Sequence, residues 1–278
     1  MPRFQLLMQS DVMNPIGACI WCLPGESFEA KLQLAKECGL DGVQLDIATG
    51  DDGMTLADES VLQRARSLRE STGLSYVSLG LGVFCDSAAT DPVQHPLLRA
   101  VLDSAIEIAQ KLQISILQIP SFGASELRTD LDIAHTAELM RYACEQTKGT
   151  AIQVCTENVL SPAKLTSLIE QVNATNFKVY YDTANPHDMA RLDAVELLDA
   201  SLPHLVQVHL KDAKDYGDAA LLGEGDTGFQ RTFEHLRGIG YQSWYVLESP
   251  YSQIMAARGI TAQEAIHQDL RTAGYRKC

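Results

Sequence analysis

Eight short, nearly continuous apolar runs, each followed by a longer amphipathic stretch, constrain this chain more than any other feature. The runs are IGACIW (16–21), GVQLDI (42–47), SYVSLGLG (75–82), ISILQIP (114–120), AIQVCTENV (151–159), FKVYYD (177–182), LVQVHL (205–210) and WYVLES (244–249). Unbroken hydrophobicity over so few residues, with β-branched and aromatic side chains, is the pattern of parallel strands buried on both faces. Their centres recur at intervals of about 25 to 39 residues, the natural spacing of βαβ units.

Between the runs lie helical segments. The stretch 27–39 opens on Ser27 as a cap and ends on Gly39, and 58–73 begins with acids and ends on Gly73. Segment 96–113 starts with Pro96 at a first helical position. Segments 131–149, 161–173, 189–201, 229–240 and 261–274 complete the set. Eight strand–helix units in a chain of 278 residues give a single-domain (β/α)8 TIM barrel over residues 1–278. An open doubly wound sheet would carry a glycine-rich phosphate loop after an early strand, and neither GxGxxG nor GxxxxGK[ST] occurs. FQLLMQ (4–9) competes for the first strand or closes the base of the barrel. IGACIW is preferred because CLPGES leads from it into a helix start.

Polar residues at the ends of four of these runs carry the functional reading. They are Glu157 in IQVCTENV, Asp182 in KVYYDTAN, His209 in LVQVHLKD and Glu248 in WYVLESP. A carboxylate or imidazole beside an apolar run is costly to bury unless something compensates it. In a barrel of this kind the C-terminal strand ends share one mouth, so strands five to eight would bring these four residues together. Three carboxylates and one imidazole suit one divalent metal ion: Mn, Mg, Co or Zn. Taken singly, each residue has a plainer reading, such as a solvated strand end, a turn-capping aspartate or a rim histidine.

Charge and cysteine usage bound the partners. The formal net charge of −14 repels nucleic acid and anionic membranes but leaves room for a small anionic substrate in a locally cationic pocket. Seven scattered cysteines point to a reducing compartment. Cys19 and Cys22 have CxxC spacing without a second such pair to complete a zinc site. No apolar run approaches a membrane span and no signal peptide is visible, so the expected location is cytoplasmic, with no membrane partner.

TENV, YYDTAN, VHLKD followed by LGEGD, and VLES, in that order, resemble the xylose isomerase-like barrel superfamily of sugar phosphate isomerases and epimerases. SFEAKLQLAKECGLDGVQLDI resembles that superfamily's first helix and second strand. The resemblance implies that Glu157, Asp182, His209 and Glu248 bind one divalent metal and that Glu157 and Glu248 are the acid and base. It implies an isomerase or epimerase of a ketose or ketose phosphate, acting in carbohydrate metabolism through a metal-stabilised enediolate. The alternatives are an inosose dehydratase or isomerase and an endonuclease IV-like DNA repair enzyme; the acidity of the chain counts against the latter. The implied partner is a small-molecule sugar, and a homo-oligomer is common among similar proteins. Two positions depart from the family: Gln44 stands where many members carry Glu, and Asn185 where sugar 3-epimerases often carry His.

Around this set, Asn185 and Lys211 are expected to contact substrate, Trp21 and Phe122 to wall the pocket with Phe84, and Asp212 to orient Lys211 or a metal ligand. Gly223, Gly225 and Gly228 offer a close-approach loop for a phosphate, which Glu224 and Asp226 in the same loop oppose.

Overall fold

The computed structural model describes residues 14–48, 55–214 and 217–275. FQLLMQ (4–9) lies outside them. Eight parallel strands close into a barrel: β1 (Ile16–Cys19), β2 (Gly42–Asp46), β3 (Ser75–Gly80), β4 (Ile116–Pro120), β5 (Gln153–Glu157), β6 (Phe177–Asp182), β7 (Leu205–Leu210) and β10 (Tyr245–Leu247). Each pairs with its sequence neighbour in the barrel, and β10 closes the ring against β1. A two-stranded hairpin, β8 (Ala213–Lys214) and β9 (Asp218–Ala219), rises from the loop after β7.

Local chemistry sets the helix ends. Ser27 and Asp58 cap helices Phe28–Glu37 and Glu59–Thr72 by accepting from backbone amides. Thr129 with Asp132, and Thr261 with Glu264, form reciprocal capping boxes for Asp130–Gln146 and Ala262–Thr272. The helix expected over 189–201 is two: Asn185–Ala190 and Ala194–Ser201. Arg191 stops the first in a left-handed conformation (φ 54°), and Asp193 caps the second. A helix with no counterpart in the sequence reading, Tyr251–Arg258, follows the eighth strand. Among the described residues, no helix is long and apolar enough to cross a membrane.

Two irregularities set the register of the barrel. Val179 pairs with Leu205 but Tyr180 with Gln207, so Val206 is an extra residue on β7. Continuing the first register would put Val208 opposite Asp182; the bulge puts His209 there. A matching shift after Val43 pairs Gln44 with Ser78 instead of Val77. Side chains alternate along a strand. Tyr180, Cys155 and Ile116 therefore form an interior layer directly beneath Asp182, Glu157 and Gln118, and they pack as a cluster apart from the main core.

Asp269, fully buried on the last helix, ties the barrel's final loops together. It accepts from the Leu222 amide (2.8 Å), the Ser249 hydroxyl (2.6 Å) and the Tyr251 hydroxyl (2.9 Å). Burial outweighs these hydrogen bonds and pushes the carboxyl from 3.8 up to about 6. A folded-state value above the unfolded one stabilises the fold below the unfolded pKa and loses that contribution as pH rises through the folded one. Asp269→Asn can keep all three contacts if both hydroxyls turn to accept. We expect its stability relative to the parent to improve by about 2 kcal/mol between pH 4 and pH 7, measured by urea unfolding. An unchanged difference across that range would refute the assignment.

Candidate metal centre at the barrel mouth

The ends of β5, β6 and β7 and the residue after β10 converge on one point. Glu157, Asp182 and His209 occupy the C-terminal ends of their strands, and Glu248 is held by its amide donating to Leu210 O (2.9 Å). One ligand atom from each of the four residues lies within 4.8 Å of the other three. His209 Nδ1 is at the centre, 3.2 Å from Glu157 Oε1, 3.6 Å from Glu248 Oε2 and 4.0 Å from Asp182 Oδ2. Glu157, Asp182 and His209 are buried, and the Glu248 side chain is 13% exposed, the member of the set open to the mouth.

Charge crowding appears in the ionisation of Asp182, His209, Glu248 and Lys211. Burial, only partly offset by Lys211 and reinforced by Glu248 and Glu157, raises Asp182 to about 7. Burial would depress His209, but the carboxylates of Glu248, Glu157 and Asp182 outweigh it and raise the imidazole to about 9. Burial would likewise raise Glu248, yet Lys211 and His209 hold it down at about 2. Lys211 Nζ lies 3.1 Å from Glu248 Oε2, and despite burial the neighbouring carboxylates raise its pKa.

These residues fit a divalent cation on two observations. Asp182 Oδ1 accepts from the Ala184 and Asn185 amides (2.7 and 2.6 Å), whereas Oδ2 is buried, faces the cluster and accepts no hydrogen bond. A buried carboxylate oxygen without a donor calls for a partner of another kind. In addition, once the imidazole is neutral and Asp182 ionised, as ligation requires, three carboxylates against one ammonium leave two negative charges, which a divalent ion cancels. The donor set of carboxylate oxygens and one imidazole nitrogen suits Mn, Mg, Co or Zn.

The flanking residues divide into those at the cluster and those away from it. Asn185 Nδ2 reaches Glu157 Oε1 at 3.4 Å, and Trp21 Nε1 donates to Glu248 Oε1 at 3.3 Å. The Trp21 ring stands edge-on to His209 with centroids 6.2 Å apart and is 42% exposed. Phe122 is half-buried in the loop after β4, and Phe84 is fully buried. Asp212 spends its carboxylate elsewhere: Oδ1 accepts from the Ala213 amide and the Thr227 hydroxyl, and Oδ2 from the amides of Gly223 and Gly225. It organises the glycine loop, and a Cβ at position 225 would run into its carboxylate.

Three polar contacts to the cluster come from residues that strand-end reasoning passed over. Gln118 Nε2 donates to Glu157 Oε2; Gln44 Oε1 lies 2.7 Å from His209 Nε2 and accepts from the Tyr180 hydroxyl at 2.8 Å. Cys19 Sγ lies 3.3 Å from His209 Nε2. Cys19 and Cys22 are both free thiols, and burial pushes the Cys19 thiol well above its usual range. Gln44 and Gln118 stand in the sequence as amides inside apolar strands, the same signal as the four cluster residues in uncharged form.

Comparison with known proteins agrees with this architecture. A family model described as xylose isomerase-like TIM barrel matches residues 32–272. The chain is 31% identical over 225 residues to a 2-epi-5-epi-valiolone 7-phosphate 2-epimerase of Actinoplanes sp., covering 80% of this chain and 82% of that one. It is 26% identical over 275 residues to an L-ribulose-5-phosphate 3-epimerase of Escherichia coli, covering 94% and 96%. Among solved structures, a D-allulose 3-epimerase from Methylomonas sp. superposes with a TM-score of 0.73 at 16% identity, covering 95% of this chain and 98% of that one. A 3-keto-D-glucoside 4-epimerase from E. coli gives 0.72 at 18%, covering 95% and 100%. At those identities the superpositions speak for the fold alone.

Lys211 lowers both Glu248 and Asp182 more than the imidazole of His209 does. In metal-free Lys211→Met, carboxyl 13C titration should place Glu248 well above about 2 and Asp182 above about 7. Titrations that coincide with the parent's would show that some other group balances the cluster.

Proposed function

The chain belongs to the xylose isomerase-like TIM barrel family, and from that premise we propose that it is a divalent-metal-dependent epimerase or isomerase of a ketose or ketose phosphate, with Glu157 and Glu248 as acid and base. The observation that carries the reading is the convergence of Glu157, Asp182, His209 and Glu248 with Asp182 Oδ2 left without a donor. Epimerisation is favoured over aldose–ketose isomerisation by the relatives in sequence, which are named as a 2-epimerase and a 3-epimerase.

The chemistry needs a carbon acid beside a carbonyl. One glutamate takes the proton from that carbon, leaving an enediolate. The opposite glutamate returns a proton to the other face, so the configuration inverts and the proton count balances. A bound divalent ion supplies the positive charge that makes the enediolate accessible near neutral pH. Glu157 is fixed by Gln118 and Asn185, and Glu248 by Lys211 and Trp21, so the two carboxylates are steered from different sides. Lys211 is suited to a substrate oxygen that becomes negative, and Asn185 to a neutral hydroxyl. Trp21 and Phe122, at the mouth, are suited to covering the carbon chain.

A phosphate, where the substrate carries one, has to find donors outside the glycine loop. The Gly223 and Gly225 amides already serve Asp212, and Arg258, at the end of helix Tyr251–Arg258, is paired with Glu224.

The test is proton exchange from the carbons beside the carbonyl in deuterated water, over a panel of ketoses, their phosphates and inososes. Exchange should vanish on chelation and return with Mn. Glu157→Gln and Glu248→Gln should each lose about 10²–10⁴-fold. Full exchange in both variants would refute the acid–base assignment. Because Asp182 at about 7 and His209 at about 9 must release protons to a cation, Mn affinity measured by calorimetry should rise from pH 6 to pH 9. Affinity flat across that range would mean the ion binds elsewhere.

A further inference from the structure

We infer that Gln44 and Gln118 form an amide relay that fixes the proton of His209 on Nε2 and turns Nδ1 toward the carboxylates. They are positioning residues, and the inference rests on the reading of the four-residue cluster as a cation site. The relay starts at Glu157, whose carboxylate oxygens accept hydrogen bonds and do not donate them. Gln118 must therefore turn Nε2 toward Glu157 Oε2, since its carbonyl would face another acceptor there. Its own Oε1 then faces Gln44, which has to offer Nε2 (3.4 Å). Gln44 Oε1 is left pointing at the Tyr180 hydroxyl and at His209 Nε2, 2.7 Å away. An amide oxygen at that distance requires a proton on the ring nitrogen. Nε2–H is thus set three side chains away from the carboxylate that dictates it.

Burial makes the relay binding. Gln44, Gln118, Tyr180 and His209 are all buried, so water cannot satisfy a flipped amide. Flipping Gln44 alone would set its carbonyl against that of Gln118 and its amino group against His209 Nε2–H, two mismatches at once. The same proton separates the two residue groups with metal-ligand spacing. In the group of Cys19, His209 and Glu248, the thiol lies against Nε2, and that nitrogen is taken. The group with Glu157 and Asp182 uses Nδ1, which is the nitrogen they face. An acceptor behind a ligating imidazole fixes its orientation and basicity, and loss of such a partner typically weakens metal binding about 10–100-fold.

The experiment uses the full chain, 15N-labelled at histidine, with Zn alone as the diamagnetic probe. In the parent without Zn, at a pH where the imidazole is neutral, the single ring proton should sit on His209 Nε2, protected from exchange, and Zn should shift Nδ1 while Nε2 keeps its proton. Gln44→Leu should lose the protection and bind Zn about 10–100-fold more weakly. Gln44→Glu, which can only accept, should keep the Nε2 proton. Gln118→Met, which does not touch His209, should reduce the protection because Gln44 becomes free to turn. It also serves as the decisive variant if Gln44→Leu fails to fold. Zn on Nε2, or Gln118→Met and Gln44→Leu indistinguishable from the parent, would overturn the relay. A protein that binds no Zn yet shows the protected Nε2 proton would refute the cation site and leave the relay standing.

Discussion

Three carboxylates gathered around one imidazole nitrogen are the constraint on which the rest of this molecule depends. Like charges a few ångströms apart in a poorly solvated mouth repel strongly, and the chain offers only partial internal relief. Lys211 neutralises Glu248, and two backbone amides serve one oxygen of Asp182. What is left over is an oxygen without a donor and, once the imidazole is neutral, an excess of negative charge. A barrel can keep such an arrangement because its strand ends are held by hydrogen-bonded ladders on both sides. The stability lies in the apolar layers, and the mouth is free to be strained.

Register is what turns that scaffold into a site. The extra residue Val206 on β7 moves His209 opposite Asp182, and the extra Val77 on β3 moves Ser78 opposite Gln44. Both irregularities adjoin strands that carry interior polar side chains, Tyr180 and Gln44, which share one hydrogen bond. A ladder without them would set those residues about one strand residue out of step, roughly 3.3 Å, more than a hydrogen bond tolerates. The bulges and the buried polar network therefore stand or fall together.

Legibility in the sequence followed the length of each signal. Eight apolar runs at βαβ spacing announce the closed parallel barrel, because a strand buried on both faces leaves no polar alternation to confuse with another fold. The four cluster residues were readable because charge at the end of such a run is conspicuous. Gln44 and Gln118 carry the same message more quietly. An uncharged amide costs less to bury, and nothing in one strand says which amide in another will meet it. Val206 is indistinguishable from its neighbours in LVQVHL, so a bulge leaves no trace in composition. The break at Arg191 was hidden because a non-glycine residue in the left-handed region is set by what surrounds it. The antiparallel pair Ala213–Lys214 and Asp218–Ala219 has two residues a side, too few to show a period.

The glycine loop after β7 shows how one motif can carry opposite meanings. Gly223, Gly225 and Gly228 look like a cradle for an anion, and in a sense the loop is one: two of its amides converge on a single oxygen. The anion is the chain's own Asp212, joined by the Thr227 hydroxyl and the Ala213 amide. An internal carboxylate that satisfies the nest removes it from substrate recognition, because a phosphate would have to displace a buried, fully bonded group to enter. Asp212 follows Lys211 directly, so anchoring it also fixes the backbone from which Lys211 reaches Glu248. The loop thus acts on the cluster from behind, by holding in place the ammonium that pairs with Glu248.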